Sequence, residues 1–259
     1  MNGLRKLAVV TGGSSGIGRE ISLTLARHGW DVALTWFHQG DAPDEVAGQI
    51  RRLGRRALAS RCDAGVKAEV DSFFDAVAEH FGTVPDLLVN NAGVQTWAPL
   101  LDLEEAAWDT VMRTNLKGCF LNTQKLARML VAAGKPGAIV NIGSGCSKVP
   151  FPNLVDYSTS KAAIDQFTRV AAIELGRHGI RVNCVAPGAI EIERTKRESP
   201  DYAGIWAAVT PLGRVGRAED VANAVLFFAE AGSAFVTGQT LWVDGGAFTV
   251  PNWPYRTGR

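Results

Sequence analysis

The chain has 259 residues, 46% apolar and 20% charged, enough to bury a large core. Its 27 basic and 26 acidic side chains leave a formal charge of +1, and no basic run is threaded with aromatics. That balance argues against nucleic acid or an anionic membrane as a partner.

The four cysteines, Cys62, Cys119, Cys146 and Cys184, form no CxxC pair. Neither a metal site nor a disulfide framework is expected, and reduced thiols suit a cytoplasmic protein. The apolar run in "MNGLRKLAVVTGG" is too short for a signal segment or a membrane span.

In chain order, "KLAVV", "DVALTW", "RALASR", "DLLVN", "GAIVNI", "IRVNCVA" and "QTLWVD" are apolar with little polar alternation. Strands buried on both faces read this way. Amphipathic helices are expected at 17–28, 66–81, 104–132, 155–178 and 218–231. Seven strands joined by helices imply right-handed crossovers and an α/β domain spanning 1–259, with a parallel sheet covered on both faces. Residues 188–213, "GAIEIERTKRESPDYAGIWAAVTPLG", break the rhythm. A loop of that length in a compact domain suggests a substrate lid.

After the first strand, "TGGSSGIGRE" spaces Gly12, Gly16 and Gly18 as G-x-x-x-G-x-G and leads into a helix. Such glycines let the backbone approach a pyrophosphate, whose charge the helix N-terminus favours. An NAD site would place an acid near the end of the second strand, roughly 20 residues on. Here "LTWFHQG" has none before Asp41, and Arg19 and His38 are the local cations. The preference read from this is NADP, with NAD the alternative. Asp63 in "RCDAG" either accepts from the adenine amino group or caps the next helix.

"LLVNNAGVQ" puts Asn90, Asn91, Ala92 and Gly93 at the carboxyl end of a strand, where open α/β sheets bind ligands. Ser144 ends another strand, and Asn115 sits inside a long helix, an unfavourable place for Asn. In "YSTSK", Tyr157 and Lys161 are four apart and share one helix face. An ammonium beside a phenol stabilises the phenolate and suits the pair to acid–base work.

Together these stretches resemble the short-chain dehydrogenase/reductase family over essentially the whole length. The matching motifs are Thr11–Gly18, Asn90–Gly93, Asn115, Ser144, Tyr157 with Lys161, and Pro187–Gly188. The resemblance implies a single-domain Rossmann fold, a doubly wound seven-stranded parallel sheet, and a nicotinamide-dependent oxidoreductase. It implies Tyr157 as proton donor and acceptor, with Lys161 tuning it and holding the ribose. Ser144 would bind the substrate oxygen, and Asn115 would position a water. For the cofactor it implies Gly12, Ser14, Ser15, Gly16, Ile17 and Gly18 from the turn. It adds Phe37, His38, Asp63, Ala64, Asn91, Ala92, Gly93, Tyr157, Lys161, Pro187, Gly188 and Ile190.

Two subgroups are similar. "SKVPFP", "APGAI" and the tail "DGGAFTVPNWPYRTGR" resemble glucose 1-dehydrogenase. That likeness implies a substrate site of Gln95, Ser144, Cys146, Lys148 and Tyr157, although the subgroup has Glu for Gln95 and His for Cys146. "GIRVNCVAPG" and "PLGRVG" resemble 3-oxoacyl carrier-protein reductase. An acidic carrier would need a basic patch, and Arg51, Arg52, Arg55 and Arg56 either supply it or decorate a solvated helix end. Trp97, Tyr202 and Trp206 either wall the pocket or pack ordinarily. A non-catalytic dinucleotide-binding protein is the alternative of another class. The family implies a homotetramer through the helices holding Asn115 and Tyr157, and 162–175 is apolar on more than one face.

Overall fold

Alternation within four residues sets the architecture. In β1 (Leu7–Val10), Leu7 and Val9 face one helical layer, Ala8 and Val10 face the other, and all four are buried. A strand apolar on both faces belongs inside a sheet covered by helices on each side. The computed structural model describes residues 6–38 and 42–250. Asp41 and the end of the tail, 251–259, lie outside the described residues.

The strands that follow are β2 (Asp31–Trp36), β3 (Ala57–Arg61), β4 (Leu87–Asn90), β5 (Gly137–Ile142) and β6 (Ile180–Pro187). The short β7 (Ile190–Glu191) and β8 (Gly216–Arg217) pair only with each other, and β9 (Thr240–Val243) closes the series. The main sheet is parallel, in the order β3-β2-β1-β4-β5-β6-β9, as expected. From β1 the chain builds outward to β3, then returns to β4 beside β1 and builds the other way. The carboxyl ends of β1 and β4 thus form the switch point where such sheets bind ligands.

One face carries α1 (Gly16–Arg27), α2 (Pro43–Arg52) and α9 (Ala218–Ala229); the other carries α3 (Lys67–Phe81), α5 (Gly118–Ala132) and α6 (Val155–Gly176). Phe228 anchors the first core and Phe74 the second, each burial stabilising by roughly 1.5–3 kcal/mol.

Asn90 ends β4, as expected, but does not line the cleft that Asn91 does. Its amide turns into the second core, donating to Asn141 Oδ1 at 2.9 Å and Thr123 Oγ1 at 3.0 Å. Asn141 donates in turn to Thr168 Oγ1 at 2.9 Å, so a polar seam ties β4 and β5 to α5 and α6. Burial pushes the thiols of Cys62, Cys119 and Cys184 up to about 12, and all four cysteines are unpaired.

Three elements depart from expectation. The helix expected at 104–132 is α4 (Glu105–Val111), a π-helical turn (Met112–Lys117) and α5. Periodicity misses this because one π turn set inside a longer helix is too short to show a period of its own. Helix α2 is not among the helices expected by periodicity, although its last turn carries Arg51 and Arg52, as the helix-end reading of that cluster has it, and Pro43, Asp44 and Glu45 open it. Residues 188–213 are no bare loop, since they hold β7, α7 (Glu193–Glu198) and α8 (Tyr202–Val209). Those helices are too short to announce themselves by periodicity.

Three of the four clustered arginines bond backbone carbonyls of the fold. Arg51 donates to Ala57 O, Arg55 to Gly29 O and Arg56 to Phe81 O, at 3.1–3.2 Å.

Candidate active site

At the switch point the glycine turn presses against the end of β4. Asn91 Nδ2 donates to Thr11 O and Gly12 O, both at 3.0 Å. Thr11 Oγ1 accepts from the N–H groups of Asn91 and Ala92, also at 3.0 Å. Gly12 and Gly16 have φ of +61° and +50°, the left-handed region that glycine enters freely. A Cβ on Gly18 would lie 2.1 Å from Gly12 O, so only glycine fits there.

A cleft of about 1230 Å³ opens along the carboxyl edge of the sheet. Strand order lays out its length. Phe37, His38, Asp63 and Ala64 lie at the ends of β2 and β3. Gly12, Ser15, Gly16, Ile17, Gly18, Asn91, Ala92 and Gly93 occupy the middle. Ser144, Cys146, Tyr157, Lys161, Pro187, Gly188 and Ile190 follow at β5, α6, β6 and β7. Gln95 lines it as well.

These residues fit a dinucleotide. The first turn of α1 carries no acidic side chain, and its N-cap, Ser15, makes no side-chain capping bond. The Ser14 hydroxyl is buried beneath the turn, with no hydrogen-bond partner among the described residues. Free N–H groups at a helix start and a glycine cradle suit a pyrophosphate. Asp63 does not cap α3, whose N-cap is Val66. Its Oδ1 accepts from Gly65 N at 2.9 Å, and Oδ2 pairs with Arg113 Nη1 at 2.5 Å. Arg113 was not legible in the sequence, because the π turn brings it to Asp63 from 50 residues away.

At the other end the helix α6 sets the chemistry. Lys161 is 4% exposed and donates to Ile142 O at 2.7 Å. Its Nζ lies 5.5 Å from the centre of the Tyr157 ring, one helical turn away. Ser144 Oγ accepts from Cys146 N at 3.2 Å, which leaves its own proton free to donate. Asn115 is buried in the π turn behind Gly93. Its Oδ1 accepts from Val94 N at 2.8 Å, and its Nδ2 donates to Val94 O and Ser160 Oγ at 2.9 and 3.0 Å. Asn115 therefore fixes the loop after β4 against α6.

Three of the expected residues stand away from the lining: Asn115 behind Gly93, Ser14 and Lys148. Ser14 is buried beneath the turn. Lys148 projects outward, its Nζ over the Trp242 ring at 5.3 Å, where a cation–aromatic contact holds it. Trp97, Tyr202 and Trp206 do line the cleft, joined by Phe151 and Phe248. Of the two cations proposed for a 2′-phosphate, Arg19 is committed to Glu45 at 2.9 Å, while His38 lines the cleft.

Gly18→Ala tests the cradle. The added methyl would meet Gly12 O at 2.1 Å and Asn91 Nδ2 at 2.4 Å. The variant is expected to be less stable by about 1–3 kcal/mol in urea unfolding. Dinucleotide affinity, read by fluorescence titration, should fall at least about tenfold, since backbone must shift where the pyrophosphate fits. Wild-type affinity and stability would refute this reading of the turn.

Residues 12–248 match a family model described as enoyl-(acyl carrier protein) reductase. A 3-oxoacyl-[acyl-carrier-protein] reductase of Staphylococcus epidermidis is 37% identical over 245 residues, covering 95% of this chain and 100% of that protein. An L-rhamnose 1-dehydrogenase (NAD(P)(+)) of a Sphingomonas strain is 36% identical, covering 94% and 96%. The crystal structure of acetoin dehydrogenase from Enterobacter cloacae superposes with a TM-score of 0.89 at 33% identity, covering 98% and 100%. The chain belongs to the short-chain dehydrogenase/reductase family and is an NAD(P)-dependent oxidoreductase of that family.

Proposed function

We propose that this protein interconverts a ketone and its secondary alcohol, with Ser144, Tyr157 and Lys161 acting on the substrate oxygen. The observation that carries the reading is the buried Lys161 ammonium 5.5 Å from the Tyr157 ring, on the wall of a cleft that Ser144 also lines. When bound, the nicotinamide supplies or accepts the hydride at the carbonyl carbon, being oxidised or reduced in exchange. Tyr157 gives its proton to the substrate oxygen in reduction and takes it back in oxidation. The Lys161 charge stabilises the phenolate left behind. Ser144 donates to the same oxygen, where negative charge develops. Lys161 has three N–H groups and Ile142 takes one, leaving two for a ribose and a relay water. Asn115 is a positioning residue for that relay. With all four residues present, a non-catalytic dinucleotide binder is disfavoured.

A ketoreductase accords with the 3-oxoacyl and acetoin relatives. A sugar substrate is favoured by the rhamnose dehydrogenase relative. Against it, the Lys148 ammonium that would meet a sugar hydroxyl rests on Trp242. Residues 188–213 act as the lid, since Glu193, Arg194, Tyr202 and Trp206 all line the cleft.

NADP is the proposed cofactor. Trp36, Phe37 and His38 bring no acid to the end of β2. Arg61 pairs with Trp36 across the ladder and lays its guanidinium 4.6 Å over the Phe37 ring, and a cation near the end of β2 supports this reading.

The assembly proposed is a homotetramer formed through α5 and α6. Phe120 and Val170 are each over 40% exposed and Ile173 is 82% exposed, apolar surface that a second copy would cover. Among the described residues no helix is long and apolar enough to cross a membrane. The proposed setting is the cytoplasm, the whole chain acting as one domain.

Tyr157→Phe should lower kcat by about 10²–10⁴-fold while leaving dinucleotide affinity unchanged; normal turnover would end the assignment. Arg61→Ala should weaken NADP binding by about tenfold or more and leave NAD binding as it was, because only the phosphate needs the cation. Equal losses for both dinucleotides would remove Arg61 from phosphate recognition. Light scattering should give four chains per particle at micromolar concentration, and a monomer would refute the assembly.

A further inference from the structure

Five aromatic side chains from four separate segments meet at the substrate end of the cleft. Trp97, after β4, packs edge-on to Phe151 with ring centres 6.0 Å apart. Phe151 lies 6.2 Å from Trp206 of α8. Trp206 also contacts Tyr202 at 6.2 Å and, at 6.5 Å, Phe248 from the segment after β9. All five line the cleft that holds Ser144 and Tyr157, and none joins either core.

This wall is built and held open. Ala98 N donates to Asn153 O at 3.0 Å, tying the loop of Trp97 to that of Phe151. Asn153 has φ +63°, a left-handed conformation in a residue that tolerates it. Phe248 is seated so closely on Gly145 that a Cβ there would lie 1.9 Å from its ring, which sets Phe248 beside Ser144. Yet Trp97 remains 54% exposed and Phe151 37% exposed, with Ile205 of α8 at 56%. A concave apolar surface left wet marks a place for an apolar group.

The polar groups nearby are largely occupied. Arg194 pairs with Glu198 at 3.6 Å, and Arg197 bonds the Glu193 carbonyl at 3.3 Å, both within α7. Burial pushes the Tyr202 phenol up to about 12, opposed by Arg194, so it stays neutral. Among the residues expected to bind substrate, Gln95 and the weakly polar Cys146 thiol are what remain in the lining beyond Ser144 and Tyr157.

We propose that Trp97, Phe151, Trp206 and Phe248 form a subsite for a planar apolar group, an aryl ring above all, attached to the reacting carbonyl. The inference rests on the ketoreductase reading and names its substrate class: aryl and bulky alkyl ketones, with the matching secondary alcohols. Offset and edge-on ring contacts at these spacings favour such a group. A polyhydroxylated sugar would leave its hydroxyls unpaired against the same rings, which disfavours it strongly.

The test compares 1-phenyl-1,2-propanedione, 2,3-butanedione and L-rhamnose as substrates of the full chain, with both nicotinamide cofactors in the matching redox state. Isothermal titration of the phenyl diketone into the NADP⁺-loaded protein gives a readout that needs no turnover. The phenyl diketone should exceed butanedione in kcat/KM by at least about tenfold. Trp206→Ala should collapse that ratio, mainly through KM, and Trp206→Phe should restore it.

Equal kcat/KM for the two diketones, moved equally by Trp206→Ala, would overturn the subsite while leaving the ketoreductase standing. A preference for rhamnose would overturn it too. Tight titration of the phenyl diketone, lost in Trp206→Ala, with no carbonyl turned over would keep the subsite and end the ketoreductase reading. Neither binding nor turnover would overturn the subsite.

Discussion

A buried ammonium sets the terms for this site. Lys161 is almost wholly withdrawn from water, a position that costs several kcal/mol unless fixed dipoles replace the lost hydration. The Ile142 carbonyl at the end of β5 provides one such dipole at 2.7 Å. Keeping it there requires β5, β6 and α6 in register, and the Asn90–Asn141–Thr168 seam ties α6 to the two central strands. Asn115 then fixes Val94 and Ser160 around the same point. The proton chemistry assigned to Tyr157 depends on this charge being held rigidly one helical turn away.

The opposite end of the cleft follows a different rule, that of close approach. Gly12, Gly16 and Gly18 have no side chains, so backbone N–H groups at the start of α1 can face a pyrophosphate. Asn91 and Thr11 clamp the turn to β4. One cleft thus joins a backbone cradle suited to an anion and the side chains proposed for proton transfer. The switch in strand order between β1 and β4 is what places them along one edge.

The strands were legible because parallel strands buried on both faces leave uninterrupted apolar runs, and all seven lie where those runs fall. The long helices were legible by their period. The π turn at Met112–Lys117 was not, because a single turn inside a longer helix shows no period of its own. The six- and eight-residue helices α7 and α8 offered too few turns to show a period. Asn90 and Asn91 are neighbours of one residue type, yet one turns into the core and the other clamps the glycine turn. That split follows from side-chain alternation, which a motif does not display.

Local spacing by itself determined the glycine turn, the Tyr157–Lys161 pair and the sheet class, because each depends on residues a few positions apart. Tertiary structure alone decided what converges from distant segments. It turned Lys148 outward onto Trp242, delivered Arg113 to Asp63 and laid Arg61 over Phe37. It also gathered Trp97, Phe151, Trp206 and Phe248 into one wall from positions more than 150 residues apart at the extremes. Backbone geometry repeats with a period that can be read along a chain, whereas the meeting of remote loops is set by how the layers pack.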